Sequence, residues 1–186
     1  MKTTFTSFLA LLLFFVASAS FAQGQGAGIY MEITPATGST ATTAGTFKIT
    51  SLQNSILNQS TIGSGTGGSG GGRVAFQPLT VTKSADKASN AFQYAIMSGA
   101  HFSRIRFSYK NAAGDVLYDL YIGTAFISGY STSAAEVCEN GCPGIAETFT
   151  INYGEVAIVD RTLTPRRPIE WSQLKNIGKV AFTYEQ

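Results

Sequence analysis

Apolar and polar residues alternate in short runs through most of the chain. Ile29, Met31 and Ile33 alternate with Tyr30, Glu32 and Thr34, a strand that Pro35 stops. Phe47 and Ile49 alternate again after a small, polar loop, and the pattern predicts a strand continuing to about Asn58. Arg73–Thr82 reads as a strand with a fault. Val74 and Phe76 share one parity, Leu79 and Val81 the other, and Pro78 stands at the change. A bulge on an edge strand would explain both the slip and the missing N–H.

The period then changes. Phe92, Ala95 and Ile96 fall on one helical face, Ser89 is placed to cap the helix through its hydroxyl, and Gly99 is placed to stop it. This is the only firm helical signal. Ile105, Phe107 and Tyr109 return to alternation, and Asn111–Asp115 reads as a turn. Val116, Tyr118, Leu120 and Ile122 face one way in the next strand, expected to run to about Ser128. Phe149, Ile151 and Tyr153 alternate, and Gly154 resets parity for Val156 and Ile158, a second expected bulge. Thr164–Pro168 breaks the chain, and Lys179–Tyr184 reads as a last strand. Many strands and one short helix, with no internal repeat, predict a mainly β fold. We expect a closed or nearly closed antiparallel barrel with the helix plugged against it.

Composition adds a compartment. The chain has 186 residues, 44% hydrophobic and 13% charged, with net charge +2. That suits a single packed domain and gives no electrostatic case for nucleic acid or an anionic membrane. Lys2, the apolar run Phe8–Val16 and small Ser20 and Ala22 around Phe21 form a signal-peptide pattern over residues 1–22, with cleavage before Gln23. The run is too short to anchor in a bilayer, so stable membrane insertion is not expected. The mature chain, 23–186, is then secreted or periplasmic, with a loose lead-in at 23–28. Its two cysteines, Cys138 and Cys142, flank Asn140-Gly141, a turn sequence, and in an oxidising compartment we expect a disulfide. Free thiols and a metal site are the rivals; two thiolates alone leave a zinc shell incomplete, and His101 is remote in sequence.

Candidate chemistry is sparse. The glycines of 62–72 are followed by Arg73-Val74 and a strand, whereas a phosphate loop needs Lys-Ser/Thr and a helix N-terminus. They read as a flexible connector. His101 lies near Ser98 and Ser103 in sequence, but a catalytic triad is spatial and needs an orienting acid, and no G-x-S-x-G is present, so it reads as structural. Asp115 and Asp119 suggest no shared acid–base site. Glu136, Glu139 and Glu147 read as a solvated acidic loop, and Arg166 and Arg167 as a solvated turn. Asn58-Gln59-Ser60 fits a glycosylation triplet. We expect no cofactor, no metal and no catalytic residue.

The order of several short stretches is more specific. These are Val81-Thr82-Lys83, Asp86-Lys87-Ala88-Ser89, and a helix leaving through Gly99-Ala100-His101-Phe102. Ile127–Ser131 and Glu147–Val156 come next in order. Together they resemble the haemolysin-coregulated protein (Hcp) family of type VI secretion tube proteins, from about Ile29 to Asp160. The resemblance implies a barrel with one helix, a ring of six copies and stacking of rings into a hollow tube. It implies no enzyme activity, and as partners the chain itself and spike, sheath or effector proteins.

The chain departs from that family in its leader, its cysteine loop and its extension over 161–186. These features suit a second function, an exported binding module on the same barrel. Such a module would act as a monomer or small oligomer on a host protein or glycan.

Overall fold

The computed structural model describes residues 26–39, 44–58, 74–135 and 144–186. Its elements are β1 (Gly28–Pro35), β2 (Gly45–Ile49), β3 (Ser51–Gln53), β4 (Ile56–Asn58), β5 (Val74–Phe76) and β6 (Leu79–Ser84). They continue with α1 (Ser89–Met97), β7 (His101–Lys110), β8 (Val116–Ala135), β9 (Gly144–Asn152), β10 (Glu155–Asp160) and β11 (Ile169–Ser172). All described strand pairings are antiparallel.

The main sheet runs β2-β1-β7-β8-β9-β6-β3. Its two ends are one stretch of chain. β2 pairs with β1 and β3 pairs with β6, and only Thr50 lies between β2 and β3. The Thr50 N–H donates to the Thr82 carbonyl at 2.8 Å, and its hydroxyl donates to the same oxygen at 2.9 Å. The sheet therefore closes on itself, which leaves no edge at the seam. The mainly β barrel with one helix agrees with the sequence reading.

Inward residues fill the barrel as alternation predicts. Met31, Ile33, Ile105, Phe107, Leu120, Ile122, Phe149, Ile151 and Val156 form one buried core. Helix α1 presses Phe92 and Ala95 into that core, and the Phe92 ring lies 5.1 Å from Phe47 and 4.8 Å from Phe149. Gly99 ends the helix as expected. It sits at φ 63, in the left-handed region, and the Gly99 and Ala100 amides bond back to Ile96 and Ala95 carbonyls.

Six expectations need correction. The strand expected from Phe47 to Asn58 is three, because crossing the seam changes its partner at Thr50 and β4 then leaves the main sheet. Pro78 marks a break rather than a bulge. β5 pairs with β4 in a separate two-stranded sheet, while β6 lies between β3 and β9. β8 runs beyond Ser128 to Ala135, because β9 continues to pair with it. Ser89 does not cap the helix: the N-cap is Ala88, with no side-chain cap. Lys179–Tyr184 is not a strand, whereas Ile169–Ser172, just past the proline break, is one and pairs with β10. Glu147 is not solvated. It points inward on β9 and is 1% exposed.

The expected irregularity at Gly154 lies at the junction of β9 and β10, which pair with successive halves of β8. Opposite that junction β8 carries Thr124 at φ 51. Leu120 and Ile122 face inward before it, and Ala125 and Ile127 are buried after it, so the strand switches parity there.

Candidate functional site

The stretches that carry the family resemblance converge on the joint between helix and barrel. Val81 is core. Thr82 supplies the carbonyl that closes the barrel, and its hydroxyl meets that of Thr148 at 3.3 Å. Lys83 ends inside, fully buried, with its ammonium 2.8 Å from Glu147 Oε2, 3.0 Å from Asp86 Oδ1 and 2.9 Å from the Ser84 carbonyl. All three N–H groups have an acceptor.

Asp86 then folds the chain into the helix. Its Oδ1 accepts the Ala88 amide at 2.8 Å, and its own amide donates to Ser89 Oγ at 2.9 Å. The Ser89 hydroxyl in turn donates to Glu147 Oε2 at 2.8 Å, and Tyr130 donates to Oε1 at 2.7 Å. Gln93, one turn into the helix, donates to the Tyr130 oxygen at 2.9 Å. Burial works to raise the Glu147 carboxyl, but hydrogen bonds from Lys83, Tyr130 and Ser89 outweigh it and hold the group below its ordinary value. A hollow of about 330 Å³ opens beside this cluster, lined in part by Gln93, Tyr130, Ile145 and Glu147.

With each ionised group engaged, the cluster presents neither a free base nor a free nucleophile. What it does is fix α1 on the barrel. Ala88 packs against the core, and Lys87 is exposed. Phe102 is buried. His101 is exposed on the first residue of β7, its ring 5.6 Å from Phe126. Cys138 and Cys142 lie outside the described residues, as do the leader and the glycine connector. Arg166 is exposed and donates to the Gln186 carbonyl at 3.0 Å, and Arg167 is exposed.

A second charged cluster lies on the outer face. Asp119 is fully buried there, accepting from Arg106 Nε at 2.9 Å, from Ser108 Oγ at 2.8 Å and from Arg161 Nε. Burial works to raise its carboxyl, and the bonds from Arg106, Arg161 and Ser108 bring it below the ordinary value. Asp115, by contrast, is exposed and closes the turn with Asn111.

Glu147 and Asp119 are the groups that the sequence reading missed. Glu147 carried a signal, since it shares parity with Phe149 and Ile151 and so had to face inward if the strand began that early. Asp119 carried none, because it lies on the outer face and the partners that complete it, Arg106, Ser108 and Arg161, come from β7 and from a point forty-two residues further on.

This barrel has known relatives. The family described as "Type VI secretion system effector, Hcp" matches residues 30–159. No curated protein sequence matches. Among solved structures, one described as a type six secretion system protein is 23% identical with a TM-score of 0.65, covering 82% of this chain and 99% of its own. Hcp1 from Salmonella typhimurium is 16% identical with a TM-score of 0.63, covering 81% and 97%. The secreted protein Hcp3 from Pseudomonas aeruginosa is 16% identical with a TM-score of 0.53, covering 78% and 98%. At such identities these structures speak for the fold. The family match stops short of β11 and the C-terminal segment, but it takes in α1, the barrel closure and the buried Lys83–Glu147 pair. On the breadth of that match, this chain belongs to the Hcp family of type VI secretion proteins.

Proposed function

We propose that copies of this chain assemble as rings of six and that the rings stack into a tube serving protein secretion. The observation that carries this reading is the family match across the closed barrel and its helix. On this reading the chain is a building part and not an enzyme. Its partners are further copies of itself, together with spike, sheath or effector proteins. The leader pattern supports a location for the mature chain, 23–186, in the periplasm or outside the cell.

A surface feature supports self-association. β4 and β5 form a ribbon apart from the main sheet, and Ile56 and Leu57 on it are exposed. Residues 59–73, the glycine-rich connector, link these two strands. Light scattering on residues 23–186 across a dilution series, under oxidising conditions, tests the ring. A mass of six chains that persists on dilution is the expected result. A clean monomer at high concentration would sink the ring and favour the exported binding module. Shortening residues 63–71 is expected to leave the barrel folded and weaken association; an unchanged oligomer mass would count against the connector.

A further inference from the structure

The outer face of β7, β8 and β10 is unusual for a sheet. Outward positions on an antiparallel sheet are ordinarily polar, yet here Tyr121, Ala157 and Val159 face out and are almost fully buried. Val180, Phe182 and Tyr184 cover them. Gly123 completes the floor: a Cβ there would collide with the Phe182 ring.

The walls are polar and grip the backbone of the covering segment. Glu155 Oε2 accepts the Ala181 amide at 3.2 Å, and Arg104 Nη1 donates to the Thr183 carbonyl at 3.0 Å. Arg161 Nη2 donates to the Glu185 carbonyl at 3.2 Å, and Arg106 Nη2 pairs with the Glu185 carboxylate at 3.2 Å. Glu170 accepts the Val180 amide at 3.2 Å and the Tyr184 hydroxyl. Alternate side chains go down into pockets while the backbone between them is read from the sides. That is how a groove holds an extended peptide.

Two features make the segment separable from the barrel. Among the described residues, no backbone-to-backbone hydrogen bond ties 179–186 to a strand. Leu174–Lys179, which join the segment to β11, are all exposed. The groove itself is built on β7, β8, β10, Arg161 and Glu170 of β11, none of them part of the segment.

We propose that this groove is a docking surface for a second copy of the chain: Val180–Glu185 of one copy leaves its own groove and seats in the same groove of a neighbour. Every contact made within one copy is available between two, so exchange loses no interaction and is limited by concentration. Any arrangement that holds copies side by side raises the local concentration and favours the exchange. The inference does not depend on rings of six.

Two full-length variants test it. Phe182→Ala/Tyr184→Ala spoils the segment and leaves the groove intact. Gly123→Leu fills the groove where the Phe182 ring sits and leaves the segment intact. Alone, each is expected to be cut rapidly by trypsin at the exposed Lys179. In an equimolar mixture the intact segment of the groove variant can seat in the intact groove of the other. Cleavage of the Gly123→Leu chain, followed by mass spectrometry, is expected to slow roughly tenfold if nine in ten segments are seated, because proteolysis tracks the open population. The other chain is expected to be cut as before. An unchanged cleavage rate for both chains in the mixture, with both folded by circular dichroism, overturns the proposal. Should Gly123→Leu fail to fold, Ala157→Arg blocks the same groove from β10. The readout follows individual chains, so it holds whether the mixture is dimeric or ringed.

Discussion

Lys83 and Glu147 show how a buried charge pair constrains its neighbours. Each is stripped of water, and each is tolerated only because the other completes it. Lys83→Met is expected to destabilise the fold by about 3–5 kcal/mol, since it strands a buried carboxylate. Lys83→Met/Glu147→Leu should recover much of that loss, as no unpaired charge remains. Urea denaturation of the two variants checks this, and a double variant no more stable than the single would mean that the pair adds stability of its own. The helix would still be expected to loosen in the double variant, because the acceptor for Ser89 and Tyr130 is gone. Residue by residue, the sequence revealed inward apolar positions well. It concealed polar ones, because a charge inside a barrel is licensed by partners from distant strands. Lys83 was legible as part of a recurring stretch, but its burial was not.

Elements were legible where local chemistry alone decides them. Alternation located β1, β7 and the first half of β8, and the helical period located α1. The end of α1 is local too, because Gly99 supplies a left-handed residue at no steric cost. Gly99→Ala is expected to lower stability by about 1 kcal/mol, since an L side chain at φ 63 is disfavoured. A lowered thermal midpoint with an unchanged fold is the check; no shift would mean that the turn relaxes freely. Elements were misread where partner choice decides them. A single alternating run from Phe47 became three strands, because its neighbours change along its length. Val180, Phe182 and Tyr184 alternate like a strand, yet they serve as side-chain plugs in a groove. Tyr121, Ala157 and Val159 looked like outward residues, and they are, with a cover that local sequence does not announce.

The whole molecule should respond to pH at both extremes. Asp119 and Glu147 are held below their ordinary values in the folded state, by partners that outweigh burial. Their contribution is therefore full above about pH 4, where the unfolded carboxyls are also ionised, and is lost as pH falls below that. Tyr153 and Tyr184 shift the other way. Burial pushes each up to about 12, and Glu170 adds to the effect at Tyr184. The unfolded phenols ionise near 10, so stability is expected to fall as pH rises from about 10 to 12. Denaturant midpoints across pH should show a broad plateau with losses at both ends. A flat alkaline limb would mean that both hydroxyls reach solvent.

The seam at Thr50 bears on how the chain acquires its shape in time. The cylinder is sealed from two directions. Thr50 joins β2 to β3, and β9 slots between β8 and β6. A chain that has emerged only as far as residue 143 can form the first joint but not the second. It would be a curled, open sheet with β6 and β8 as bare edges, the kind that recruit other strands. The barrel thus has a late lock, and until residues 144–152 arrive the chain stays unsealed. On the proposed reading of residues 1–22 as an export signal, that delay keeps the chain threadable. The same delay makes the moment just before locking the one at which a crowded population is most prone to pair wrongly.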